Sequence, residues 1–372
     1  MISSRKYLRT GIGALFLVAC GSNTSGNSLV PGGTGGAGGG QGPDADGGSS
    51  TDLLDQATPE RDGAGAPMDS MIGDGGDGAD DVPAGAMPRP MVWTLEPTGP
   101  RELIGALGGS SATDVWFVDE GDTYRSTGDG TWTRTTFPGP TVNNIWVAAP
   151  DDAYVSVQNN AVYHWNGNGW DHPVVAIGIS LNGVWGSGPH DIYTVPGPYR
   201  SKGFGVWELD PTTKMSIGGV AVWGSGPTDV WVLGGNRGIS HSKGDGNWEF
   251  QKLPPLTFSN PLAVWGSAPT DIFALDRGEV DHSTGDGNWV RQSLDLTDAD
   301  ATTSIWGSGP TDIYIGMYKG TIFRSTGDGM WYRESVFPKV AGKSYSITAI
   351  WGTASDNVYV VAENGTYRGH PK

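Results

Sequence analysis

Cysteine is nearly absent from this chain. Cys20 is the only one in 372 residues, so neither an internal disulfide nor a zinc site built from several cysteines can form. Charged residues make up only 17% of the sequence, and acidic residues outnumber basic ones by 40 to 23. The formal net charge of −17 argues against nucleic acids and anionic lipid headgroups as partners. The apolar run at 11–19 is too short to span a bilayer stably.

Sequence motifs that mark several enzyme classes are missing as well. The zinc motif H-E-x-x-H, a phosphate loop ending in Lys-Ser/Thr and the nucleophile elbow G-x-S-x-G in a strand–helix context do not occur. We therefore predict no catalytic residues, no metal ligands and no cofactor, and we expect that the chain is not an enzyme. Calcium is an open possibility that the sequence does not support, because the Asp-rich stretch at 73–81 lacks the spacing of a calcium loop.

The first twenty residues have the pattern of a targeting segment. Arg5, Lys6 and Arg9 precede the apolar run, which ends in Leu-Val-Ala-Cys20. This ending resembles the lipobox of bacterial lipoprotein signal peptides, which implies that 1–19 is a signal peptide and that Cys20 is lipidated. More than one acyl chain on that residue would anchor the protein stably to a membrane. The alternative is an ordinary secretory signal with a chance cysteine.

Residues 20–90 have the composition of a disordered tether. The segment 21–90 contains 19 glycines and no Phe, Tyr or Trp, with 11 acidic residues against two arginines. Such a composition cannot bury enough apolar surface to offset the entropy lost on ordering. Gly21 follows Cys20 where an Asp would favour the inner membrane of enteric bacteria. We therefore expect a cell-envelope protein anchored in the outer membrane and exposed at the surface.

The strongest signal in the chain is a repeat with a period near 40 residues. Each copy places a tryptophan before Gly-Ser-Gly-Pro-Thr-Asp, or a variant of it, and an aliphatic and an aromatic residue follow. The anchor positions are Gly108, which stands where Trp is expected, and Trp146, Trp185, Trp223, Trp265, Trp306 and Trp351. The period is typical of propeller blades, and the 3.6-residue periodicity of helical repeats is absent.

A second motif, Ser-Thr-Gly-Asp-Gly-x-Trp, follows roughly twenty residues after the anchor. It is intact at 126–132, 283–289 and 325–331, altered at 242–248 and shortened at 166–170; the third unit is expected to lack it. In the sixth unit we predict strand A ending at 306, a turn to 311, strand B at 312–315, strand C at 321–324 and strand D from 331. Glycine supplies positive φ and aspartate supplies side-chain hydrogen bonds in the second turn.

The two ends of the repeat region complement each other. The last unit stops at Lys372 before a strand D, whereas 91–95 precedes the first strand A and carries Trp93. Pairing these ends would close a ring and remove two open sheet edges. The sequence therefore predicts an all-β, seven-bladed β-propeller over 91–372, with four antiparallel strands per blade and the last blade closed by the N-terminal strand 91–95.

The Asp-Gly-x-Trp turn is similar to the Asp-box of BNR-type propellers, found in sialidases and in secreted binding proteins. The distance from Asp to Trp is two residues shorter here, so the likeness is to a variant of that box. The repeat region as a whole resembles the Trp-Gly-Ser-Gly-Pro-Thr-Asp repeat lipoproteins of deltaproteobacteria. This resemblance implies a cell-surface propeller and no particular activity.

Residues that recur in every unit are interpreted as structural. We expect the anchor tryptophans to pack between blades, with a sugar-stacking platform as the alternative. The outer tryptophans are expected to pack under their own turns, and the repeated aspartates to accept hydrogen bonds from turn amides. The polar residue that ends strand C is expected to pair with a neighbouring aspartate. These strand C residues are Arg125, His164, His241, His282, Arg324 and Arg368.

Residues that break the repeat are better candidates for a ligand site. We place them in the B–C loops, which are expected to crowd one face of the ring. The predicted ligand-binding residues are Gln158, Asn159, Tyr199, Arg200, Asn236, Arg237, Asp276, Arg277, Tyr318, Lys319, Glu363 and Asn364. A surface of amides, charges and tyrosines can hydrogen-bond a polyhydroxylated or peptidic ligand.

Three functions stay open at this stage. The first is a non-catalytic binding module for a glycan or a protein, held at the membrane through Cys20 and expected to be a monomer. The second is a docking scaffold in an outer-membrane assembly. The third is a sialidase-like glycoside hydrolase, which would need a carboxylate pair. The candidates for that pair are Asp119, Glu120, Asp276 and Glu363.

Overall fold

The structure is a computed structural model. It describes residues 87–101, 105–158, 161–171, 180–203, 206–209, 219–234, 238–255, 260–296, 300–337 and 343–372. The predicted signal peptide, Cys20 and nearly all of the predicted tether lie outside these ranges. No helix among the described residues is long and apolar enough to cross a membrane.

The described chain forms seven separate four-stranded antiparallel sheets, which confirms the predicted fold. The innermost strands, A, are β2 (Ala106–Ser111), β6 (Val142–Ala149), β10 (Gly183–Gly188), β14 (Gly219–Gly226), β18 (Pro261–Ala268), β22 (Thr302–Gly309) and β26 (Ile347–Ala354). The B strands are β3 (Asp114–Val118), β7 (Asp152–Val157), β11 (Asp191–Val195), β15 (Asp229–Gly234), β19 (Asp271–Asp276), β23 (Asp312–Met317) and β27 (Asn357–Ala362). Each A strand with the B strand that follows it begins one blade, and the blades are numbered 1 to 7 in this order.

The third and fourth strands complete each blade. The C strands are β4 (Asp122–Ser126), β8 (Ala161–Trp165), β12 (Tyr199–Ser201), β16 (Gly238–Ser242), β20 (Glu279–Ser283), β24 (Thr321–Ser325) and β28 (Gly365–Pro371). The outer D strands are β5 (Thr133–Thr136), β9 (Trp170–Asp171), β13 (Trp207–Leu209), β17 (Trp248–Lys252), β21 (Val290–Gln292), β25 (Tyr332–Ser335) and, for blade 7, β1 (Met91–Glu96). We call the end with the A–B and C–D turns the turn face, and the opposite end the loop face.

The predicted closure of the ring is confirmed. Strand β1 pairs antiparallel with β28, and Met91 lies opposite Pro371. The neighbouring blade also holds the entering chain, because Glu334 Oε1 accepts hydrogen bonds from the Met91 amide at 2.9 Å and from the Trp93 indole at 3.3 Å. The A strands pack in order around the ring, and β26 of blade 7 contacts β2 of blade 1. Strand β1, the first strand that the structure describes, therefore completes blade 7 and closes the ring.

The boundaries between strand A and strand B differ from the prediction. In blade 6 strand A continues through Gly307, Ser308 and Gly309, and its register with strand B shifts between the two glycines. Only Pro310 and Thr311 form the turn. The predicted five-residue turn was wrong, because a bulge lets the Gly-Ser-Gly segment remain paired in the sheet.

The anchor tryptophans pack between blades, as expected. Each lies against the glycine that follows the anchor position in the next blade: Trp265 on Gly307 and Trp306 on Gly352 are examples. A Cβ atom added to Gly307 would stand 2.5 Å from the Trp265 ring, so only glycine leaves room for the indole. The Trp-Gly pair of the motif therefore joins two blades.

Blade 1 shows the same rule by its exception. Gly108 replaces the anchor tryptophan, and the residue that would receive that ring in blade 2 is Val147 where a glycine is usual. The two meet directly, because a Cβ atom on Gly108 would lie 3.1 Å from Ile145 Cγ2 and 3.8 Å from Val147 Cγ2. A larger side chain in blade 2 thus fills the space that the missing indole leaves.

The outer tryptophans also join neighbouring blades, so the prediction that they pack under their own turns was wrong. Trp289 packs edge-on against Trp231 of the preceding blade, and its indole donates to Gln251 Oε1 at 2.9 Å. Trp331 repeats this arrangement one blade further on, with its indole 2.9 Å from Gln292 Oε1. In blade 1 the indole of Trp132 donates to buried Glu96 of blade 7. Burial raises the pKa of Glu96 above its ordinary value, and the indole donor opposes that rise.

Candidate functional site

The repeated charged residues bond to one another inside their own blades. In blade 4, Asp229 accepts hydrogen bonds from Ser225 Oγ at 2.5 Å and from the Trp231 indole at 2.9 Å, and its Oδ1 lies 2.7 Å from His241 Nε2. Together these donors hold the pKa of Asp229 below its ordinary value in spite of its burial. The Asp229 carboxylate, at the start of strand B, is thus within hydrogen-bond distance of three side chains of its own blade.

Every blade contains a version of this pair. The expected partnership between the strand C residue and the strand B residue is confirmed at Arg125–Asp114, His164–Asp152, His241–Asp229, His282–Asp271, Arg324–Asp312 and, with an amide, Arg368–Asn357. The expected turn-amide partners were wrong, since the described bonds of these carboxylates go to side chains. The repeated acids and bases therefore hold strands A, B and C together and are poor candidates for catalysis.

The C–D turns have the expected chemistry. Gly285 and Gly287 adopt φ of +80° and +85°, and Asp286 Oδ1 accepts the amide of Asn288 at 2.9 Å. The side chain of Asn288 also donates to Asp286 Oδ2 at 3.0 Å, and the hydrogen bonds from this side chain and from the Asn288 backbone lower the pKa of Asp286, which stands in the solvent. Asp129 and Asp245 cap the equivalent turns of blades 1 and 4 in the same way.

The described part of blade 3 keeps both ends of this turn, although its sequence was expected to lack the motif. Ser201 lies opposite Trp207 in the sheet, just as Ser242 lies opposite Trp248 in blade 4. Gly203 adopts φ of +91° and its amide donates to Ser201 Oγ at 3.2 Å. The sequence 201–207 therefore aligns with 242–248, but Phe204 takes the place of the aspartate that would have marked it.

This alignment moves two predicted site residues out of the loops. Tyr199 and Arg200 belong to strand β12, and Arg200 Nε donates to Asp191 Oδ1 at 2.6 Å. Arg200 is thus the strand C partner of Asp191 in blade 3, and its placement in a B–C loop was wrong.

The other predicted residues that the structure describes occupy the loop face. In blades 2, 5, 6 and 7 the amide of the first residue of the B–C loop donates to a carbonyl just ahead of strand A, as in Tyr318 N to Ala301 O at 2.7 Å. Predicted site residues placed at such loops are Gln158, Arg277, Tyr318, Lys319, Glu363 and Asn364. Asn159, Asn236 and Arg237 lie outside the described residues.

Several of these residues are bonded into the framework of the loop face. Asp276 ends strand β19, is buried, and accepts the amides of Asn260 and Arg277. Its carbonyl also accepts a hydrogen bond from Thr302 Oγ1 of blade 6 at 2.6 Å. Glu363 accepts the Ser346 amide at 3.1 Å, and Asn364 donates to the Tyr367 hydroxyl at 2.9 Å. Ligand binding by this set stays a prediction.

A cleft of about 710 Å³ opens on the turn face between blades 2 and 3. The residues that line it are Ala149, Asp151, Asp152, Tyr154, Val162, His164, Asn166, Asp171, Pro189, His190, Gly203 and Trp207. None of them was singled out as a ligand residue from the sequence. Its size lies within the usual range for small-ligand sites.

The wall that blade 2 contributes to the cleft is organised around His164. This imidazole stacks on the Tyr154 ring with centroids 4.5 Å apart, and its Nε2 lies 2.8 Å from Asp152 Oδ1. Its Nδ1 faces Asp171 Oδ2 at 3.6 Å, while Asp171 Oδ1 accepts the Asn166 amide at 3.0 Å. Burial and the nearby Asp152 carboxylate raise the pKa of Tyr154. The wall thus presents a histidine between two carboxylates, stacked on the ring of Tyr154.

Two departures from the repeat line this cleft. The residue directly before the first residue of strand B is threonine at Thr113, Thr228, Thr270 and Thr311, whereas blades 2, 3 and 7 carry Asp151, His190 and Asp356 there, and the first two of these line the cleft. The C–D turn of blade 2 is one residue shorter than those of blades 1 and 4. A comparison of the repeats could have revealed these substitutions, but not that they line one space.

Within the described residues, no group of three or more His, Cys, Asp or Glu side chains is arranged to hold a metal ion. The cleft therefore offers hydrogen-bonding and charged groups without a described metal cluster.

Comparison with known proteins identifies the fold and no family. No family model and no curated protein matches the chain. Among solved structures, YCF48 from Cyanidioschyzon merolae is 14% identical, with a TM-score of 0.60 over 75% of this chain and 98% of that one. The structure of YCF48 bound to D1 peptide is 14% identical, with a TM-score of 0.59 over 77% of this chain and 98% of that one. Virginiamycin B lyase from Staphylococcus aureus, in a catalytically inactive form with quinupristin, is 13% identical, with a TM-score of 0.65 over 76% of this chain and 99% of that one. At these identities the similarity shows the fold alone.

Proposed function

We propose that this chain is a non-catalytic binding module of the cell envelope, lipidated at Cys20 and carried on the 20–90 tether. The observation that carries the proposal is the distribution of chemistry in the ring. Repeated acids and bases are bonded to each other within their blades, and the pair of blade 2, Asp152 with His164, lines the cleft together with the departures from the repeat at Asp151 and His190.

A binding role fits this arrangement better than catalysis. Ring closure and the inter-blade tryptophans supply a rigid frame, and a preorganised cleft lowers the conformational entropy that the protein loses on binding a ligand. Peptide binding is reported for one protein of this fold, YCF48 bound to D1 peptide. A protein or glycan ligand for the present chain is our proposal.

The binding role is tested by presenting the purified full chain to arrays of glycans and peptides and to envelope polysaccharides. Two double variants separate the faces: Asp151→Thr with His190→Thr for the cleft, and Arg277→Ala with Tyr318→Ala for the loop face. We expect the cleft variant to weaken the binding of a hit and the loop variant to leave it unchanged. The opposite result would place the site on the loop face.

The envelope address is tested in the native bacterium. We expect a labelled fatty acid to be incorporated into the wild-type chain and not into Cys20→Ala. A chain that shows no ligand in any array but crosslinks to one fixed membrane partner would support the docking-scaffold alternative instead.

A further inference from the structure

We propose that the cleft between blades 2 and 3 binds the cationic side chain of a lysine or arginine in a partner peptide. This inference rests on the proposed function, because it names the ligand class of the same cleft. The first observation is charge. Three carboxylates line the cleft, those of Asp151, Asp152 and Asp171, and no lysine or arginine is among its described lining residues.

The three carboxylates differ in how far they are already engaged. Asp152 is within hydrogen-bond distance of His164 and only 20% of its side chain is exposed. Asp171 is 53% exposed, and Asp151 also stands in the solvent. The paired carboxylate lies deeper and the exposed ones lie nearer the opening, so an entering cation meets rim carboxylates first and a fixed negative group behind them.

Aromatic rings supply the second observation. Trp207 from blade 3 lines the cleft and is half-buried, while the buried Tyr154 lies beneath His164. Ammonium and guanidinium groups are attracted both to carboxylates and to the faces of aromatic rings. In blade 1 the equivalent of His164 is Arg125, whose guanidinium stands 3.9 Å from the Trp116 ring centroid, so this fold already stacks a cation on a ring beside a carboxylate. Because His164 covers Tyr154 in blade 2, Trp207 is the ring that an entering cation can meet.

Size and net charge favour a peptide over a free small cation. A cleft of about 710 Å³ is larger than one lysine or arginine side chain, so flanking residues of a peptide can enter it as well. A chain with a net charge of −17 also attracts a basic partner over distance, and that attraction weakens as salt increases.

The test measures binding of labelled hexalysine and hexa-arginine to the full chain at low and physiological salt. Matched probes are hexalysine acetylated on every side chain, hexaglutamate and a neutral oligosaccharide. The cleft variant is Asp151→Thr with Asp171→Asn, in which threonine is the residue other blades use and asparagine keeps an acceptor for Asn166. The control is Asp286→Asn with Asp328→Asn, which removes the same charge from the turns of blades 5 and 6.

We expect the cleft variant to weaken hexalysine binding at least tenfold, the control variant to change it less than twofold, and acetylation of the probe to abolish most of it. Equal losses in the cleft and control variants would show non-specific charge attraction and overturn the inference. Binding of the oligosaccharide or hexaglutamate that depends on the cleft would also overturn it, while the proposed binding function would stand. Failure of every probe, here and on the arrays, would remove both.

Discussion

Two junctions of the ring use the same inner contacts and different outer ones. Between blades 5 and 6, Trp265 lies on Gly307 and the outer Trp331 packs against Phe273 with its indole bonded to Gln292. Between blades 2 and 3, the inner contact is preserved as Trp146 on Gly186, and the outer Trp207 lines a cleft on the turn face.

The difference separates the requirements of the fold from those of the site. The inner half of each junction joins the blades and cannot vary without a matching change in its neighbour, as Gly108 and Val147 show. The outer half differs between the two junctions: Trp331 donates to Gln292, whereas Trp207 packs beside the buried Tyr154 and Val162 and borders the cleft. Variation at the outer turn face is therefore where this fold can acquire a ligand.

The largest effect is expected at the inner contact that both junctions share. A methyl group on Gly307 would lie 2.5 Å from the Trp265 ring and 2.8 Å from the Asp312 carbonyl, so Gly307→Ala should destabilise the fold by about 3 kcal/mol. Gly309→Ala is the matched control in the same strand, because no atom lies within 4 Å of the added methyl. Chemical denaturation measures both, and equal stability of the two variants would refute the role of the Trp-Gly contact.

A double-mutant cycle tests whether the exception in blade 1 is a true replacement. Gly108→Trp introduces the usual ring against Val147, and Val147→Gly removes the side chain that fills the space, so each alone should cost about 2 kcal/mol. The double variant restores the common pair and should recover at least about 1 kcal/mol of the summed loss. Strict additivity of the two costs would contradict the replacement.

The outer contact should contribute less than the inner one. Gln251→Leu leaves the buried Trp289 indole without its acceptor, which should cost about 1–2 kcal/mol. Gln251→Glu keeps an acceptor, as blade 7 does with Glu96, and should cost less at the same pH. Urea unfolding of the two variants side by side distinguishes loss of the hydrogen bond from loss of side-chain volume.

In the contact between Trp132 and Glu96 the acceptor is a carboxyl group, so we expect the stability of the fold to depend on pH. Because burial raises the pKa of Glu96 in the folded state, its protonated form is favoured there, and its contribution to stability is lost as pH rises through the raised pKa. Glu96→Gln should therefore match the wild type near pH 4 and be the more stable protein near pH 8. Stability measured from pH 4 to 8 checks this, and a gain confined to low pH would reverse the sign.

The smallest effect on stability is expected in the cleft. Asp151→Thr and His190→Thr restore the residue found at that turn position in four other blades, and both side chains are exposed. Each should change the free energy of unfolding by less than about 0.5 kcal/mol. A larger loss in thermal unfolding would mean that these residues support the fold and would weaken the case for a ligand site.

The sequence did not predict the residues of the cleft, and it placed two residues of the structural framework in the ligand site. The loop face was chosen because its residues vary, yet Arg200 belongs to a strand and Asp276 to the framework of a turn. The error at Arg200 came from Phe204, which hides the turn motif of blade 3. A missing aspartate removes the sequence signal, whereas register and glycine conformation preserve the turn.

The sequence by itself determined the number of blades and the four-strand pattern, because period, turn residues and strand patterning act between residues close along the chain. The closing strand was also predictable, although it pairs Met91 with Pro371, because the last unit lacks a strand D and 91–95 precedes the first strand A. Pairing of strand C cations with strand B aspartates was also readable, since both recur in every unit. Only the tertiary structure decided which ring meets which glycine, where outer indoles bond and that Asp151 faces a space shared with His190. Those contacts join residues about one repeat apart, and their geometry depends on how neighbouring blades pack.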